Sequence, residues 1–191
     1  LGKRKDEKAP ADYGPLNKRV IHKKTRKEIK ESLKTNTNPN DFRTEDLRVM
    51  VSNIRGFFSK RESLQAILTR EKIDVICLSE TLMTGNRFPE IQGYTSYFRN
   101  RVSRGGGGIA MLIRDEKAKY VVKVDTGLAE NEFMVLKWTN CTPHLVMIVY
   151  YGQQSQVYGV DTIKLHISQL MEVVKKHVRL GCHVNVVGDF N

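Results

Sequence analysis

Long apolar runs are missing from this chain. No uninterrupted hydrophobic stretch approaches the length of a membrane span, and Lys3-Arg4-Lys5 stand where a secretory leader would be apolar. Cysteine is scarce as well: Cys77, Cys141 and Cys182 are odd in number, widely spaced and set in apolar segments. That pattern excludes a disulfide framework or a cysteine-rich zinc site. It reads as buried free thiols in a reducing, intracellular compartment. Acidic residues are the minority, with 21 Asp and Glu against 32 Lys and Arg, which leaves a formal charge of +11. The excess favours a polyanionic partner, and it fits a basic protein without one equally well.

What is present suffices for one packed domain, since 191 residues at 40% hydrophobic content support a sizeable core. Residues 1–46 differ in texture from the rest. Basic clusters (Lys3-Arg4-Lys5, Lys18-Arg19, Lys23 to Lys27) alternate with Pro10, Gly14 and Pro15, and Val20, Ile21, Ile29 and Leu33 are too sparse to bury a helix. This segment reads as a largely flexible basic tail, ending in the linker Thr35 to Asn40. It suits a nuclear-import signal, a nucleic-acid tether or a solvated linker of a longer polyprotein.

From Leu47 onward apolar periodicity takes over. Leu47 to Asn53 alternates as a strand and turns polar at Asn53-Ile54-Arg55-Gly56. Leu64, Ile67 and Leu68 have helical spacing behind a candidate cap, Ser59, and Ile73 to Glu80 is a nearly continuous apolar run. A strand-helix-strand unit of this kind sets Glu80 beside Asn53, at the carboxyl ends of adjacent parallel strands, where open sheets bind ligands. Tyr94–Arg99 and Ile109–Ile113 read as further strands. Arg99 ends the first of these and Arg101 and Arg104 follow it, all suited to a phosphate backbone, before the run Gly105 to Gly108. That run lacks a P-loop lysine and leads into a strand, so a bulged or flexible strand entry is favoured over a phosphate cradle.

Tyr120–Val124, Glu132–Trp138 and His144–Tyr151 follow as antiparallel strands. Alternation sends Tyr150 and Tyr151 to opposite faces of the last of these. Ile163 to His177 is an amphipathic helix with the stripe Ile163, Ile167, Leu170, Val174, and His166 and His177 are expected on its polar side. The closing strand runs into Gly188-Asp189-Phe190-Asn191, where Asp189 and Asn191 share a face. A carboxylate that takes protons beside an amide that donates and accepts suits phosphate-ester hydrolysis.

Four strand-end pieces in order, Ser52 to Gly56, Leu78 to Thr81, Val149 to Gln154 and Gly188 to Asn191, resemble the endonuclease/exonuclease/phosphatase superfamily, the fold of DNase I and the AP endonucleases. The nearest likeness is to the endonuclease domain of non-LTR retrotransposons, and it covers Leu47 to Asn191. The resemblance implies the N-terminal portion of a DNase I-like four-layer α/β sandwich, a mixed sheet with flanking helices. It makes Glu80 the principal ligand of Mg²⁺ or Mn²⁺ with Asn53 assisting, a donor set suited to a hard cation that keeps several waters. Tyr151 would touch the scissile phosphate, Asp189 would orient or deprotonate the attacking water, and Asn191 would hold that water or the phosphoryl oxygens. Arg55, with Arg99, Arg101 and Arg104, would face phosphate. Arg55 departs from the acidic residue of AP endonucleases, which favours the retroelement branch, and Gln154 replaces the asparagine that usually follows the tyrosine.

The resemblance further implies a DNA nick with a 3′ hydroxyl that primes a downstream reverse transcriptase, in the nucleus and without a membrane partner. It places a second sheet and a closing Asp-His pair beyond Asn191, so the chain by itself is expected to be inactive or nearly so. A phosphomonoesterase of the same fold and a non-catalytic nucleic-acid-binding remnant are the alternatives.

Overall fold

The computed structural model describes residues 47–101, 106–128, 133–152 and 159–191. The basic tail expected before Leu47, together with Arg104, Gly105, Gln153 and Gln154, lies outside them. Strand β1 (Val49–Asn53) pairs in parallel with β2 (Val75–Ser79), in a register that runs from Val49 against Val75 to Asn53 against Ser79. Helix α1 (Arg61–Glu71) makes the crossover. β4 (Ile109–Arg114) is antiparallel to β2 on its other side, and β3 (Tyr94–Arg99) is antiparallel to β4, giving the order β1-β2-β4-β3.

A four-residue helix, α2 (Asp115–Ala118), then carries the chain out of this sheet. β5 (Val121–Val124), β6 (Phe133–Trp138) and β7 (Leu145–Tyr151) form an antiparallel meander. Helix α3 (Val160–Arg179) returns the chain to β8 (His183–Asp189), parallel to β7, so the second sheet has the order β5-β6-β7-β8. This corrects the expectation that a second sheet begins beyond Asn191, because four of its strands lie within the chain. Alternation along a strand fixes which residues share a face but not which sheet the strand joins.

Packing explains why β2, β4, β6 and β7 read as continuous apolar runs: each serves two cores. On one face of the first sheet Ile76, Leu78, Ala110 and Leu112 meet Leu64 and Leu68 of α1. On its other face Val75, Cys77, Met111 and Ile113 meet Met134, Leu136, Trp138, Met147 and Val149 of the second sheet. Behind that sheet Phe133, Val135, Val146 and Ile148 take Leu170, Val173 and Val174 of α3. The result is four layers, helix, sheet, sheet, helix, as the resemblance implies. All three cysteines are buried free thiols, and burial pushes the Cys77 thiol up to about 12. Among the described residues no helix is long and apolar enough to cross a membrane.

Two local expectations change. Ser59 does not cap α1. The chain is already helical at Phe57 and passes through a 3-10 turn, Phe58–Lys60, so no extended cap residue exists and the Ser59 hydroxyl donates to Gly56 O at 3.3 Å instead. On α3, His177 is buried and His166 half-buried, whereas Ile167 is exposed. The inward stripe therefore passes through Leu170, Val173, Val174 and His177, one step round the helix from the expected one.

Candidate active site

Four strands bring their carboxyl ends to one place. β1 delivers Asn53 and β2 delivers Glu80; the two strands stay locked just past their ends, where the Ile54 N–H donates to Ser79 O at 3.0 Å and the Gly56 N–H to Glu80 O at 2.8 Å. β7 delivers Tyr151 and β8 delivers Asp189, paired with each other in the parallel ladder. Side chains join the two sheets across the sandwich. Asn53 Nδ2 donates to Asp189 Oδ2 at 2.8 Å, and the Tyr151 hydroxyl donates to Glu80 Oε1 at 2.9 Å. The circuit closes: Asn53 to Asp189, Asp189 to Tyr151 along the ladder, Tyr151 to Glu80, and Glu80 back to Asn53 at the neighbouring strand end. Alternation also sorts the tyrosines, with Tyr151 between the sheets and Tyr150 in the outer core, its ring 5.3 Å from that of Phe190.

Asn191 completes the group. Its backbone N–H donates to Asp189 Oδ1 at 3.0 Å, and its amide nitrogen donates to Gly152 O. Both carboxylate oxygens of Asp189 are thus fixed, one by Asn53 and one by Asn191. Gly188 lets β8 close on β7 just before this group, since a Cβ there would lie 1.9 Å from Tyr150 O on the adjacent strand.

Backbone conformation marks the same place. Arg55, Glu80, Leu82 and Asn191 have φ of 45°, 53°, 54° and 46°, a left-handed region uncommon for residues other than glycine. Such outliers collect at functional sites, where surrounding structure holds them in place. The donor set is one carboxylate, Glu80, and one amide oxygen, Asn53 Oδ1, which is buried and accepts no hydrogen bond. No group of three His, Cys, Asp or Glu side chains converges among the described residues. This chemistry fits a hard divalent cation that keeps most of its waters better than it fits zinc.

The arginines divide. Arg101 sets its guanidinium carbon 5.9 Å from the Tyr151 ring centroid, at the edge of the circuit. Its seat is the glycine run, because a Cβ on Gly107 would lie 2.5 Å from that carbon. Gly108 makes the same close approach to the buried Thr81 hydroxyl, at 2.6 Å. Gly107 and Gly108 thus form a fitted surface, where the sequence suggested a flexible or bulged strand entry. Glycines beside arginines were the available signal, and nothing in the sequence said which arginine they seat. Arg99 is half-buried and donates to Leu128 O at 2.8 Å, tying β3 to the β5–β6 connection, and burial holds its guanidinium below the usual value. Arg55 is exposed beside Gly56, and Arg104 lies outside the described residues.

The four-layer α/β sandwich carries a polar circuit at the carboxyl ends of four of its strands. The chain belongs to the Endonuclease/Exonuclease/phosphatase family, whose pattern matches residues 50–191. Over 76 residues it is 36% identical to a probable RNA-directed DNA polymerase from transposon X-element of Drosophila melanogaster, a stretch covering 39% of this chain and 8% of that protein. Its fold is similar to the catalytic domain of Xenopus laevis APE2, with a TM-score of 0.61 at 21% identity, over 76% of this chain and 58% of that one. It is likewise similar to the endonuclease domain of TRAS1, a telomere-specific non-LTR retrotransposon, with a TM-score of 0.54 at 14% identity, over 75% of this chain and 58% of that one. The chain spans less than two thirds of the length of each of these relatives.

Proposed function

We propose that this domain hydrolyses phosphodiester bonds in DNA with a divalent cation, Mg²⁺ or Mn²⁺, and that it is the nicking endonuclease of a non-LTR retrotransposon. The observation that carries the reading is the closed circuit of Asn53, Glu80, Tyr151 and Asp189 with Asn53 Oδ1 left unpartnered inside it. Glu80 and Asn53 would hold the cation, which when bound supplies positive charge against the phosphoryl and leaving oxygens. The Tyr151 hydroxyl keeps the Glu80 carboxylate oriented and stands where the scissile phosphate approaches. Asp189, steadied by Asn53 and Asn191, takes a proton from the attacking water. The water oxygen bonds to phosphorus as the bond to the 3′ oxygen breaks, and that oxygen leaves as a 3′ hydroxyl after gaining a proton. Arg101, with Arg55, faces the phosphate backbone.

The transposon relative extends the proposal: the 3′ hydroxyl primes reverse transcription by a polymerase of the same polyprotein, in the nucleus. Proton delivery to the leaving oxygen is the slow point. His144 and His183 stand at the ends of β7 and β8 opposite Tyr151 and Asp189, and His166 and His177 sit on α3, so no described histidine serves that oxygen. Turnover by this chain on its own is therefore expected to be slow, and metal binding is the cleaner test. Isothermal titration with Mn²⁺ should show one site, weakened about tenfold or more by Glu80→Gln, whereas plasmid nicking, however slow, should vanish in the same variant. Undiminished Mn²⁺ affinity in Glu80→Gln overturns the assignment.

A further inference from the structure

A second surface adjoins the circuit and takes no part in it. The Gly56 and Phe57 N–H groups donate to the carbonyls of Glu80 and Thr81 at 2.8 and 3.0 Å, so Phe58, next in the chain, stands at the rim of the site. Phe57 is fully buried, while Phe58 is 51% exposed and meets it edge to face with ring centroids 5.7 Å apart. Both rings line an open cavity of about 340 Å³, with Phe88 also on its wall. Phe88 is 50% exposed and stacks on Phe98 of β3 at 6.1 Å and 23°.

The exposed rings are held in place. Asn100 Nδ2 donates to Gly85 O and Arg87 O at 2.9 and 2.8 Å, and the Ser96 hydroxyl donates to Pro89 O, which fixes the loop carrying Phe88. Arg87 sets its guanidinium carbon 5.6 Å from the Phe58 centroid. Arg61 lines the same cavity and is bound to Glu90, through its carbonyl at 2.9 Å and its carboxylate at 3.8 Å.

Two aromatic faces kept half in water by a fixed scaffold give up burial that a bound partner would restore. Flat rings flanked by guanidinium groups match a nucleobase and its phosphate, because every base has a face to stack and every nucleotide a negative charge. The volume admits one or two bases and is too small for a helix. The guanidinium groups of Arg87 and Arg61 on the cavity suit an anionic partner better than an apolar peptide. A base paired within a duplex cannot offer its face, so the occupant is an unpaired one.

We propose that Phe58 and Phe88, with Arg87 and Arg61, form a shelf that binds an unpaired base of a DNA strand whose neighbouring phosphate lies at the Glu80–Asp189 circuit. This deepens the nuclease reading and rests on it: the site favours DNA that is single-stranded next to the cut.

Fluorescence anisotropy with labelled oligodeoxythymidine and a blunt duplex, in EDTA and with the whole chain, tests the shelf apart from cleavage. Phe58→Ala/Phe88→Ala should lose about tenfold or more in affinity for the single strand, keep its duplex affinity, and regain single-strand binding as Phe58→Trp/Phe88→Trp. A second reading needs no variant: 2-aminopurine in the bound oligonucleotide should be quenched by stacking, and an unquenched signal overturns the proposal. Undiminished single-strand affinity in a double variant that melts like the parent also overturns it and leaves the shelf to a protein side chain. Absence of any DNA binding by the parent removes the nuclease reading and the shelf together. Loss of the Mn²⁺ site with single-strand binding intact removes the nuclease reading alone.

Discussion

Arg101 and Gly107 show how a side chain and a missing side chain form one feature. The guanidinium lies where a Gly107 Cβ would be, and Gly107 itself has φ of +69°, so Gly107→Ala strains the backbone and displaces the arginine together. The backbone part costs about 1–2 kcal/mol of stability. The displaced guanidinium leaves the Tyr151 ring and, on the proposed function, the phosphate. Gly107→Ala should therefore weaken duplex binding about as much as Arg101→Ala does. With Arg101 already removed, adding Gly107→Ala should change binding little, a non-additivity that a double-mutant cycle in an anisotropy titration detects. Additive losses would mean that the glycine serves the loop and not the arginine. At this scale the sequence was legible wherever a polar residue ended an apolar strand, as Asn53, Glu80, Tyr151 and Asp189 do. Partner choice was hidden, since composition does not separate Arg101 at the circuit from Arg99 at Leu128 O. The hydroxyl of Tyr151 turns to Glu80 because the sandwich sets β7 opposite β2, a relation between layers that no strand records in its own pattern.

Strands and helices were the most legible elements, because burial on both faces leaves an unmistakable apolar run in β2, β4, β6 and β7. Helix α3 is legible in the sequence as a helix, but its inward stripe lies one step round from the apolar pattern, for a physical reason. Ile167 and Leu170 are equally apolar, and only the shape of the second sheet decides which of them meets it. His177 paid no visible penalty in the sequence, yet it is buried with Nδ1 unpartnered. Burial, then the nearby Lys176 and Lys137, hold its pKa below the ordinary imidazole value. The sign follows directly. With the folded pKa lowered, the unfolded chain binds more protons once pH falls below about 6.5. The native state loses stability from there down to the folded pKa, and none of this loss is felt above pH 7. Urea melts of the parent should show this decline between pH 7 and pH 5, and His177→Leu, which fills the site without titrating, should flatten it. An equally steep decline in His177→Leu would assign it to other groups.

The two sheets are stacked so that β1, an edge of the first, lies against β8, an edge of the second, with Asn53 and Asp189 bonded across the gap. Above that bond the interior of the sandwich opens to water along one flank. Met50 packs into the α1 core, whereas Val49 and Val51, on the same face of β1 as Asn53, are 38% and 44% exposed. The sequence showed the alternation of β1 but not this asymmetry, since an apolar residue facing a second sheet and one facing solvent look alike until the layers are assembled. Among the described residues the outer edges of β1 and β8 have no strand partner, and with the exposed valines of β1 beside them they are a template for association between copies. A lysine at the middle of that face opposes it: Val51→Lys gives up little burial, its long side chain reaches water, and like charges then meet across any edge-to-edge contact. Sedimentation velocity over a range of concentrations should show the parent associating and Val51→Lys remaining monomeric, with the melting temperature nearly unchanged. Equal sedimentation of the two proteins would show that the β1–β8 flank is not sticky. A lower melting temperature in the variant would show that the flank is more tightly closed than its exposure indicates.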